Sequence, residues 1–423
     1  MLFALSLCNY ALMYWAHIFL ARHLSINAFD DFSVAVSVVT LLSTLATLGL
    51  EKYALRLVAL YIERKNWPRL RGFWQFSFRT ILLFSFVLMG ITSVCLAIVM
   101  PWHSAESHTA ILIYTLFLPA IALSLYLIEA ITVLGAQILA LALYRFVLPG
   151  VFLLLIMALN DIQPGLSAEI VMICFGSAWV LTLMLMLITA YIASPKAVKQ
   201  AKTDFHDQHK WLKSALPLLI SSLLMTLLTS AGTIILEILY TSQAMVGIFA
   251  VAMKSSGFLA LLGTSTNRYY LPMMVVLVER HDQVGLKQLL RKRTRLMASI
   301  ITLFLTVISL WGQEILDLFG PAFSQGYSTL VICAIGAAFV TLFSDSLYYL
   351  QFMARNRLVI SLMSITALSM LILSFSLGAI YGASGVALAY SLPVSLLFSA
   401  LKWFAIRHMR QQCTVNAQSA PAP

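Results

Sequence analysis

Long apolar runs, separated by short polar stretches, recur along the whole chain. Most runs contain about 20 residues, the length that a helix needs to cross the hydrocarbon core of a bilayer. The pattern predicts twelve transmembrane spans, near residues 2–21, 32–55, 79–100, 109–132, 137–159, 169–193, 214–240, 244–264, 296–315, 327–351, 358–380 and 384–405. The predicted fold class is therefore all-α, a polytopic membrane protein without a large soluble domain.

One polar, lysine-rich segment divides the spans into two sets of six. It covers 195–211, contains four lysines, and is interpreted as a cytoplasmic linker. We therefore predict an N-terminal six-helix lobe over 1–194, a C-terminal six-helix lobe over 212–406, and a polar cytoplasmic tail over 407–423.

Among the connections, basic residues are confined to those on one side of the predicted spans. They follow spans 2 and 8, fill the linker, and recur near the C-terminus: Arg64, Lys65, Arg69 and Arg71; Arg280, Lys287, Arg291, Lys292, Arg293 and Arg295; Arg355 and Arg357; Arg407 and Arg410. The opposite connections contain no Lys or Arg, apart from Arg22 at their border. Because positive residues collect on the cytoplasmic side, we expect a multi-pass protein of the bacterial inner membrane with both termini in the cytoplasm.

Composition excludes several other classes of protein. The chain is 61% hydrophobic and only 10% charged, whereas soluble proteins contain roughly 25% charged residues. The net charge of +11 is explained by membrane orientation, so no nucleic-acid partner is expected. The five cysteines are scattered, and neither a phosphate-binding GxxxxGK[ST] motif nor HExxH occurs. We therefore expect no cofactor, no metal site and no enzymatic activity.

Two short matches suggest an internal repeat. Phe32-Ser-Val-Ala-Val36 recurs as Phe249-Ala-Val-Ala-Met253, and Ile62-Glu-Arg64 recurs as Val278-Glu-Arg280 at nearly the same spacing. The copies lie six spans apart and share one orientation. This arrangement predicts two lobes related by a pseudo-two-fold axis along the membrane normal, as in some transporters.

Several small-residue and aromatic motifs carry a family resemblance, which extends over most of the chain. They are Leu20-Ala-Arg-His-Leu24, Leu45-Ala-Thr-Leu-Gly-Leu50, Val246-Gly-Ile-Phe-Ala-Val-Ala252, Leu271-Pro272, Leu318-Phe-Gly320 with Phe323 and Tyr327, and Tyr381-Gly-Ala-Ser-Gly-Val-Ala-Leu-Ala389. Their order and spacing resemble the polysaccharide (O-antigen type) flippase branch of the multidrug/oligosaccharidyl-lipid/polysaccharide exporter superfamily.

The resemblance implies a MATE-like, V-shaped bundle that moves undecaprenyl-pyrophosphate-linked oligosaccharide to the periplasmic leaflet. It also implies a polysaccharide polymerase and glycosyltransferases as partners. The chain departs from the family in span 7, where an Asp–Arg pair is common. Here that position reads Thr233-Ile234, and Glu237 follows one turn later.

Charges inside predicted spans are the candidates for a transport pathway, because an intramembrane ionisable group is costly and commonly functional. Lys254 lies about ten residues into span 8, near the middle of the bilayer. It is a candidate to bind an anionic substrate, or else it forms a structural ion pair with Asp345 or Glu237. Arg145 in span 5 could contact phosphate, or else pair with Glu129.

Two further cationic positions are candidates for the cavity. Lys52 and Arg56 lie four residues apart on one helical face, where an anion would relieve their repulsion. The alternative is that both extend towards the cytoplasmic interface. Arg268 occupies the repeat position that corresponds to Glu51, which suggests opposite charges at the mouth of a cavity.

Aromatic and acidic residues complete the candidate site. Tyr10 and Tyr14 share one face of span 1 and could stack on sugars, although interhelical packing is the simpler interpretation. If transport is coupled to an ion, the candidates are the four acids Glu129, Glu237, Asp345 and Glu51.

Three functions stay open at this stage, beside a structural membrane protein that carries no cargo. The preferred one is a flippase with alternating access around a cationic central cavity. The first alternative is a cation-coupled multidrug exporter of the same superfamily, and the second is a membrane-embedded glycan enzyme.

Overall fold

The all-α class is confirmed. A computed structural model of the protein describes residues 2–99, 105–162, 165–240, 244–280, 282–353 and 355–418. Within these ranges every regular element is a helix, and ten segments are long and apolar enough to cross a membrane. The chain is therefore a polytopic membrane protein.

Two of the ten segments are too long for one crossing. Leu118–Ile162 has 45 residues and Asn356–Met409 has 54, or about 68 and 81 Å at 1.5 Å per residue. The first is interrupted at Gly135, with φ of 88°. The second reverses near Gly382, since a Cβ on Gly385 would lie 2.0 Å from the carbonyl oxygen of Leu377, which is too close for residues eight apart in one helix. With two spans in each, the ten segments accommodate the twelve predicted spans.

The chain divides into two compact units, Met1–Gly247 and Ile248–Pro423. The helices of the first are α1 (Leu2–His23), α2 (Ile26–Ala46), α3 (Leu50–Glu63), α4 (Trp67–Val99), α5 (Ala105–Thr115), α6 (Leu118–Ile131), α7 (Gln137–Ala142), α8 (Leu148–Ile162), α9 (Ala168–Ala193), α10 (Lys196–Gln200) and α11 (Gln208–Leu239). Two π-helical stretches, Thr132–Ala136 and Leu143–Val147, flank α7.

The second unit contains fewer and longer helices. They are α12 (Met245–Glu279), which begins in the last residues of the first unit, α13 (Gln283–Asp317), α14 (Tyr327–Phe352) and α15 (Asn356–Gln418), with a short 3₁₀ turn at Pro321–Gly326. The arm of α15 after Gly382 runs parallel to α14, because Ser391 bonds the Ile332 carbonyl and His408 contacts Tyr349 further along both helices.

The boundary between the two compact units lies after Gly247, whereas the sequence predicted a boundary between two lobes at 195–211. Helix α11, the first span of the predicted C-terminal lobe, belongs to the first unit. Its Thr226 hydroxyl lies 3.1 Å from that of Thr44 on α2, and its Ser222 hydroxyl reaches Glu51 on α3. The division into two six-helix lobes stays a prediction.

The second predicted span is not one continuous helix. Leu48 and Gly49 have positive φ values of 51° and 75°, and this break separates α2 from α3. A side chain at Gly49 would lie 2.4 Å from the carbonyl oxygen of Ala215, so only glycine permits the close approach of α11. The span prediction missed the break because hydrophobicity continues through it.

Basic residues assigned to loops lie instead on helices. Because α4 begins at Trp67 and α13 at Gln283, the basic residues 69, 71 and 287–295 are all helical. Among them, Arg293 is only 1% exposed. The expectation that Arg293 lies in a cytoplasmic loop is therefore wrong, and its partners are described below.

The lysine-rich segment is folded against α4. Arg71 donates hydrogen bonds to the carbonyl oxygens of Lys199 (2.8 Å) and Ala201 (2.6 Å). Gly72 permits this approach, since a Cβ there would lie 1.8 Å from the carbonyl oxygen of Asp204. The predicted linker is thus held against α4 by contacts to the linker's own backbone.

Side chains hold the end of this segment as well. Trp211 is buried and donates through Nε1 to the hydroxyl oxygen of Tyr61 at 3.1 Å. Asp207 pairs with Arg69 at 3.2 Å and with Lys210 at 3.0 Å. The hydrogen bond from Lys210 holds the pKa of the Asp207 carboxyl below its usual range.

Candidate functional site

A buried ionic cluster lies inside the second unit. The carboxylate of Asp345 on α14 is 3.1 Å from the Nη1 of Arg293 on α13 and 3.2 Å from the Nζ of Lys402 on α15. Arg293 and Asp345 are almost completely buried, while Lys402 is 19% exposed. The three residues, called the ionic cluster below, combine two cations with one anion.

Arg293 also binds groups that carry no charge. Its Nε donates to Asn267 Oδ1 on α12 at 3.1 Å. Its two Nη atoms donate to the carbonyl oxygens of Leu342 and Thr341 and to the Ser344 hydroxyl, all on α14. One guanidinium therefore joins three helices, and its planar set of five donors is suited to such a role.

The ionic cluster borders a small cavity. Asn267, Tyr270, Arg293 and Asp345 contribute to a cavity of about 10 Å³, enough for about one water molecule. The cluster is thus tightly packed and has no room for a substrate.

The position of Arg293 could have been found from periodicity. The buried residues of α13 include Leu286, Leu290, Arg293, Met297 and Ile301, spaced by three or four residues, as on the buried face of a helix. Sequence reasoning instead grouped Arg293 with neighbouring exposed cations. The three- and four-residue spacing was the missed signal.

Asp345, one of the predicted ion-coupling residues, is therefore bound by Arg293 and Lys402, which were not selected as candidates. The sequence suggested Asp345 as a possible partner of Lys254. Lys254 lies in the first half of α12 and is partly buried.

In the first unit, Lys52 and Glu129 form a close ion pair. The Nζ of Lys52 on α3 lies 2.6 Å from Oε1 of Glu129 on α6. Glu129 was predicted as the alternative partner of Arg145, and Lys52 was predicted to share an anion with Arg56. The structure joins Lys52 to Glu129 and leaves Arg56 exposed on the same helix.

Arg145 lies in the π-helical stretch before α8, where its Nη1 donates to the Ser6 hydroxyl of α1. The neighbouring Tyr144 ring packs on Trp179 and lies within electrostatic range of both Arg145 and Lys52. These cations therefore share one region of the first unit. Such π-helical stretches often occur at functional sites.

Glu51 is a buried carboxylate that receives one hydrogen bond from the described residues. It follows the break at Gly49, is 7% exposed, and receives a long hydrogen bond of 3.5 Å from Ser222 at Oε1. Its Oε2 has no hydrogen-bond partner among the described residues. Burial of a carboxylate oxygen without a donor is costly.

A second buried acid of the first unit was not predicted. Asp30 on α2 is 6% exposed and accepts a 2.8 Å hydrogen bond from the backbone N–H of Gly247. This bond satisfies a free N–H group in the first turn of α12. Glu237, a predicted ion-coupling residue, lies near Asp30 at the end of α11 and is partly buried.

The remaining candidates have simpler environments. Tyr10 and Tyr14 stack on each other along α1, with ring centroids 5.8 Å apart, and both are partly buried. Arg268 lies on α12, and its side chain is outside the described part of the structure. Within that part, no group of three or more His, Cys, Asp or Glu side chains could hold a metal ion.

Comparison with known proteins shows the fold but no sequence relative. No model of a protein family matches the chain, and no curated protein matches it in sequence. Solved structures do match over nearly its whole length. An inward-facing multidrug resistance MATE family transporter of the MOP superfamily aligns with a TM-score of 0.76, 12% identity, and coverage of 98% of this chain and 96% of the other.

Two other structures of this superfamily fold extend the comparison. The lipid II flippase MurJ, in an inward closed conformation, aligns with a TM-score of 0.74 and 15% identity over 96% of this chain and 87% of the flippase. A MOP superfamily transporter from Pyrococcus furiosus, described as having a binding pocket of reverse polarity, aligns with a TM-score of 0.67 and 12% identity over 97% of this chain and 95% of the other. The chain therefore has the fold found in MATE transporters and in MurJ.

Proposed function

We propose that this protein is a flippase that moves undecaprenyl-pyrophosphate-linked oligosaccharide from the cytoplasmic to the periplasmic leaflet of the bacterial inner membrane. Alternating access around a cationic cavity would carry the polar cargo past the hydrocarbon. The observation that supports this most is the likeness to MOP superfamily structures, a lipid flippase among them, over 96–98% of the chain. The motifs that resemble the polysaccharide branch point to the same cargo.

The charges of the first unit favour an anionic cargo. Lys52 and Arg56 lie on α3 with the acid Glu51, Arg145 lies in the π-helical stretch before α8, and Glu129 on α6 pairs with Lys52. In the second unit, Lys254 is a partly buried cation on α12. A pyrophosphate cannot enter hydrocarbon unpaired, and arginine binds phosphate oxygens through two parallel hydrogen bonds. We propose that Arg145 and Lys52 bind the pyrophosphate, with Glu129 released from Lys52 when cargo enters.

We propose Glu51 as the residue that binds a coupling cation. Its second oxygen has no donor among the described residues, and the helix break beside it resembles the interrupted helices at which transporters bind ions. Glu129 and Asp345 already face cations at 2.6–3.2 Å, so they are weaker candidates. Glu237 is retained as a second candidate because of its proximity to Asp30.

The same proposal covers topology and partners. The alternation of basic connections supports cytoplasmic termini, and the repeated motifs support two lobes of common origin. A flippase of this kind would supply its product to a polysaccharide polymerase and receive its substrate from membrane-associated glycosyltransferases.

A multidrug exporter is the second candidate. Two buried acids of the first unit, Asp30 and Glu51, are the kind of group that a cationic drug requires. The fold is equally that of a MATE transporter.

Deletion of the gene separates the two candidates. A flippase deletion should abolish surface polysaccharide, and lipid-linked repeat units should accumulate in the inner leaflet. A drug-exporter deletion should instead leave the polysaccharide intact and sensitise cells to cationic dyes. Sensitisation with normal polysaccharide would overturn the flippase proposal.

Variants then test the proposed site. Arg145→Gln and Lys52→Gln should each lower surface polysaccharide at least tenfold at equal membrane abundance, whereas Lys213→Gln removes an exposed cation from the same unit and should have no effect. Arg145→Lys should restore only part of the export, because lysine cannot form the paired hydrogen bonds. Full export by both Gln variants would remove Arg145 and Lys52 from the pathway.

A further inference from the structure

A second polar cavity of the chain lies in the second unit, outside the residues considered for transport. It forms where α14 ends and α15 begins, beside the final turns of the second arm of α15. Its volume is about 290 Å³, and its lining consists of Leu350, Arg355, Leu358, Phe404, Arg407 and His408. Below, it is called the basic cavity.

The lining of the basic cavity contains two arginines and no acid. Arg355 and Arg407 are exposed, and neither forms an ion pair within the described residues. No Asp or Glu follows Asp345 in the sequence, and Asp345 itself is bound by the ionic cluster. Two arginines therefore face one cavity, and the adjacent segment of chain supplies no acid to neutralise them.

The third polar group of the lining is held in position. His408 Nδ1 lies 3.3 Å from the hydroxyl of buried Tyr349. This contact fixes the imidazole ring at one wall of the cavity. The ring thus adds a polar group that is already oriented before any ligand binds.

The other part of the lining is apolar and includes residues near both ends of the segment Asn356–Met409, which is apolar enough to cross a membrane. Leu350, Leu358 and Phe404 form that part. The guanidinium of Arg407 lies 5.3 Å from the ring centroid of Trp403, which is 55% exposed. Exposed tryptophans concentrate at the level of the lipid headgroups. The cavity therefore combines cations and apolar surface at the depth where a phospholipid has its phosphate and glycerol.

We propose that the basic cavity binds the headgroup of an anionic phospholipid, with Arg355 and Arg407 on the phosphate and the leucines and Phe404 against the glycerol and upper acyl chains. Arginine pairs suit phosphate, and basic pockets between transmembrane helices bind anionic headgroups on the cytoplasmic side. A bound lipid would join α14 to both arms of α15. The proposal is independent of the cargo, since it requires only that the chain spans the membrane.

Tryptophan quenching by brominated lipids tests the proposal on the full-length protein. The protein is reconstituted into phosphatidylcholine vesicles that contain an increasing concentration of brominated phosphatidylglycerol or of brominated phosphatidylcholine. We expect phosphatidylglycerol to quench at a concentration at least tenfold lower, and the difference to shrink in Trp403→Phe. Equal quenching by the two lipids would overturn the proposal.

Charge variants test whether Arg355 and Arg407 of the basic cavity cause the preference for phosphatidylglycerol. The double variant Arg355→Gln/Arg407→Gln should lose the preference for phosphatidylglycerol. Lys292→Gln/Arg295→Gln removes two exposed cations of α13 and should keep it, although the net charge falls equally. Arg355→Lys/Arg407→Lys serves if the glutamine variant fails to fold, and it should weaken the preference about threefold to tenfold. A preference unchanged in the first and third variants would refute the assignment.

Inorganic phosphate distinguishes the source of the anion. Up to 10 mM phosphate should not displace brominated phosphatidylglycerol, because it lacks the apolar contacts. Full displacement at about 1 mM, the concentration expected for a weak free-anion site, would assign the cavity to a soluble phosphate and exclude the lipid.

Discussion

Replacement of Asp345 by asparagine tests the ionic cluster most directly. The substitution conserves size and removes the one anion that lies 3.1 Å from Arg293 and 3.2 Å from Lys402. Two cations then remain together in a buried site. An attraction between unit charges at 4 Å amounts to about 4 kcal/mol at an effective dielectric constant of 20. Asp345→Asn loses two such attractions. Because the variant no longer has to bury a carboxylate away from water, several kcal/mol of that loss are offset.

The expected net cost is about 3–5 kcal/mol, the range found when one partner of a buried ion pair is removed. We expect the melting temperature of the purified protein in detergent to fall by at least about 5 °C. Asp317→Asn is the matched control, because Asp317 is an exposed acid of the same unit. It should change the melting temperature by less than about 1 °C.

Lys402→Met provides the internal check. It leaves a balanced pair of Arg293 and Asp345, and Lys402 is partly exposed, so the loss should be about 1 kcal/mol. The order of stability should therefore be wild type, then Lys402→Met, then Asp345→Asn. If Asp345→Asn has the same melting temperature as the Asp317→Asn control, the carboxylate does not stabilise the unit and the electrostatic reasoning is refuted.

Two further predictions concern the break after α2 and the end of the folded linker. Gly49→Ala places a side chain at a φ of 75° and within 2.4 Å of a backbone carbonyl oxygen of α11, so the variant should lose more than about 1–2 kcal/mol of folding stability. The control Gly90→Ala lies in open space on α4 and should be neutral or slightly stabilising. Equal melting temperatures of the two variants would contradict the close approach of α11. Tyr61→Phe leaves the buried indole N–H of Trp211 without its acceptor and should cost about 1–3 kcal/mol, with faster proteolysis in 195–211. The exposed Tyr381→Phe should match wild type in both assays, and a Tyr61 variant that matches it would show that the bond to Trp211 contributes nothing.

The spans were predictable because the length of an apolar run is a local property of sequence. Hydrophobicity alone placed the crossings and the all-α class, and the position of Asp345 inside an apolar run marked it as exceptional. The partners of Asp345 were not predictable in the same way. Arg293 and Lys402 lie 52 and 57 residues away from Asp345 along the chain, so only the packing of three helices brings them together.

The candidate cations show the same limit. Lys52 and Arg56 share a helical face by spacing, which is local. That Lys52 meets Glu129, and that Arg145 meets Ser6, depends on contacts across 77 and 139 residues. Neither pairing was predicted from the sequence, which suggested Glu129 as a partner of Arg145 instead.

The class of this protein, a polytopic membrane chain of apolar helices, follows from the sequence alone, because a bilayer crossing requires apolar length. The pairing of the charges, the end of α2 and the contacts of the lysine-rich segment follow only from the packing of the helices. These features depend on the distance between groups far apart in sequence. Because a buried charge or polar group without a partner costs free energy, packing determines which groups must pair. Composition records how many charges a chain has, whereas packing determines which of them face each other.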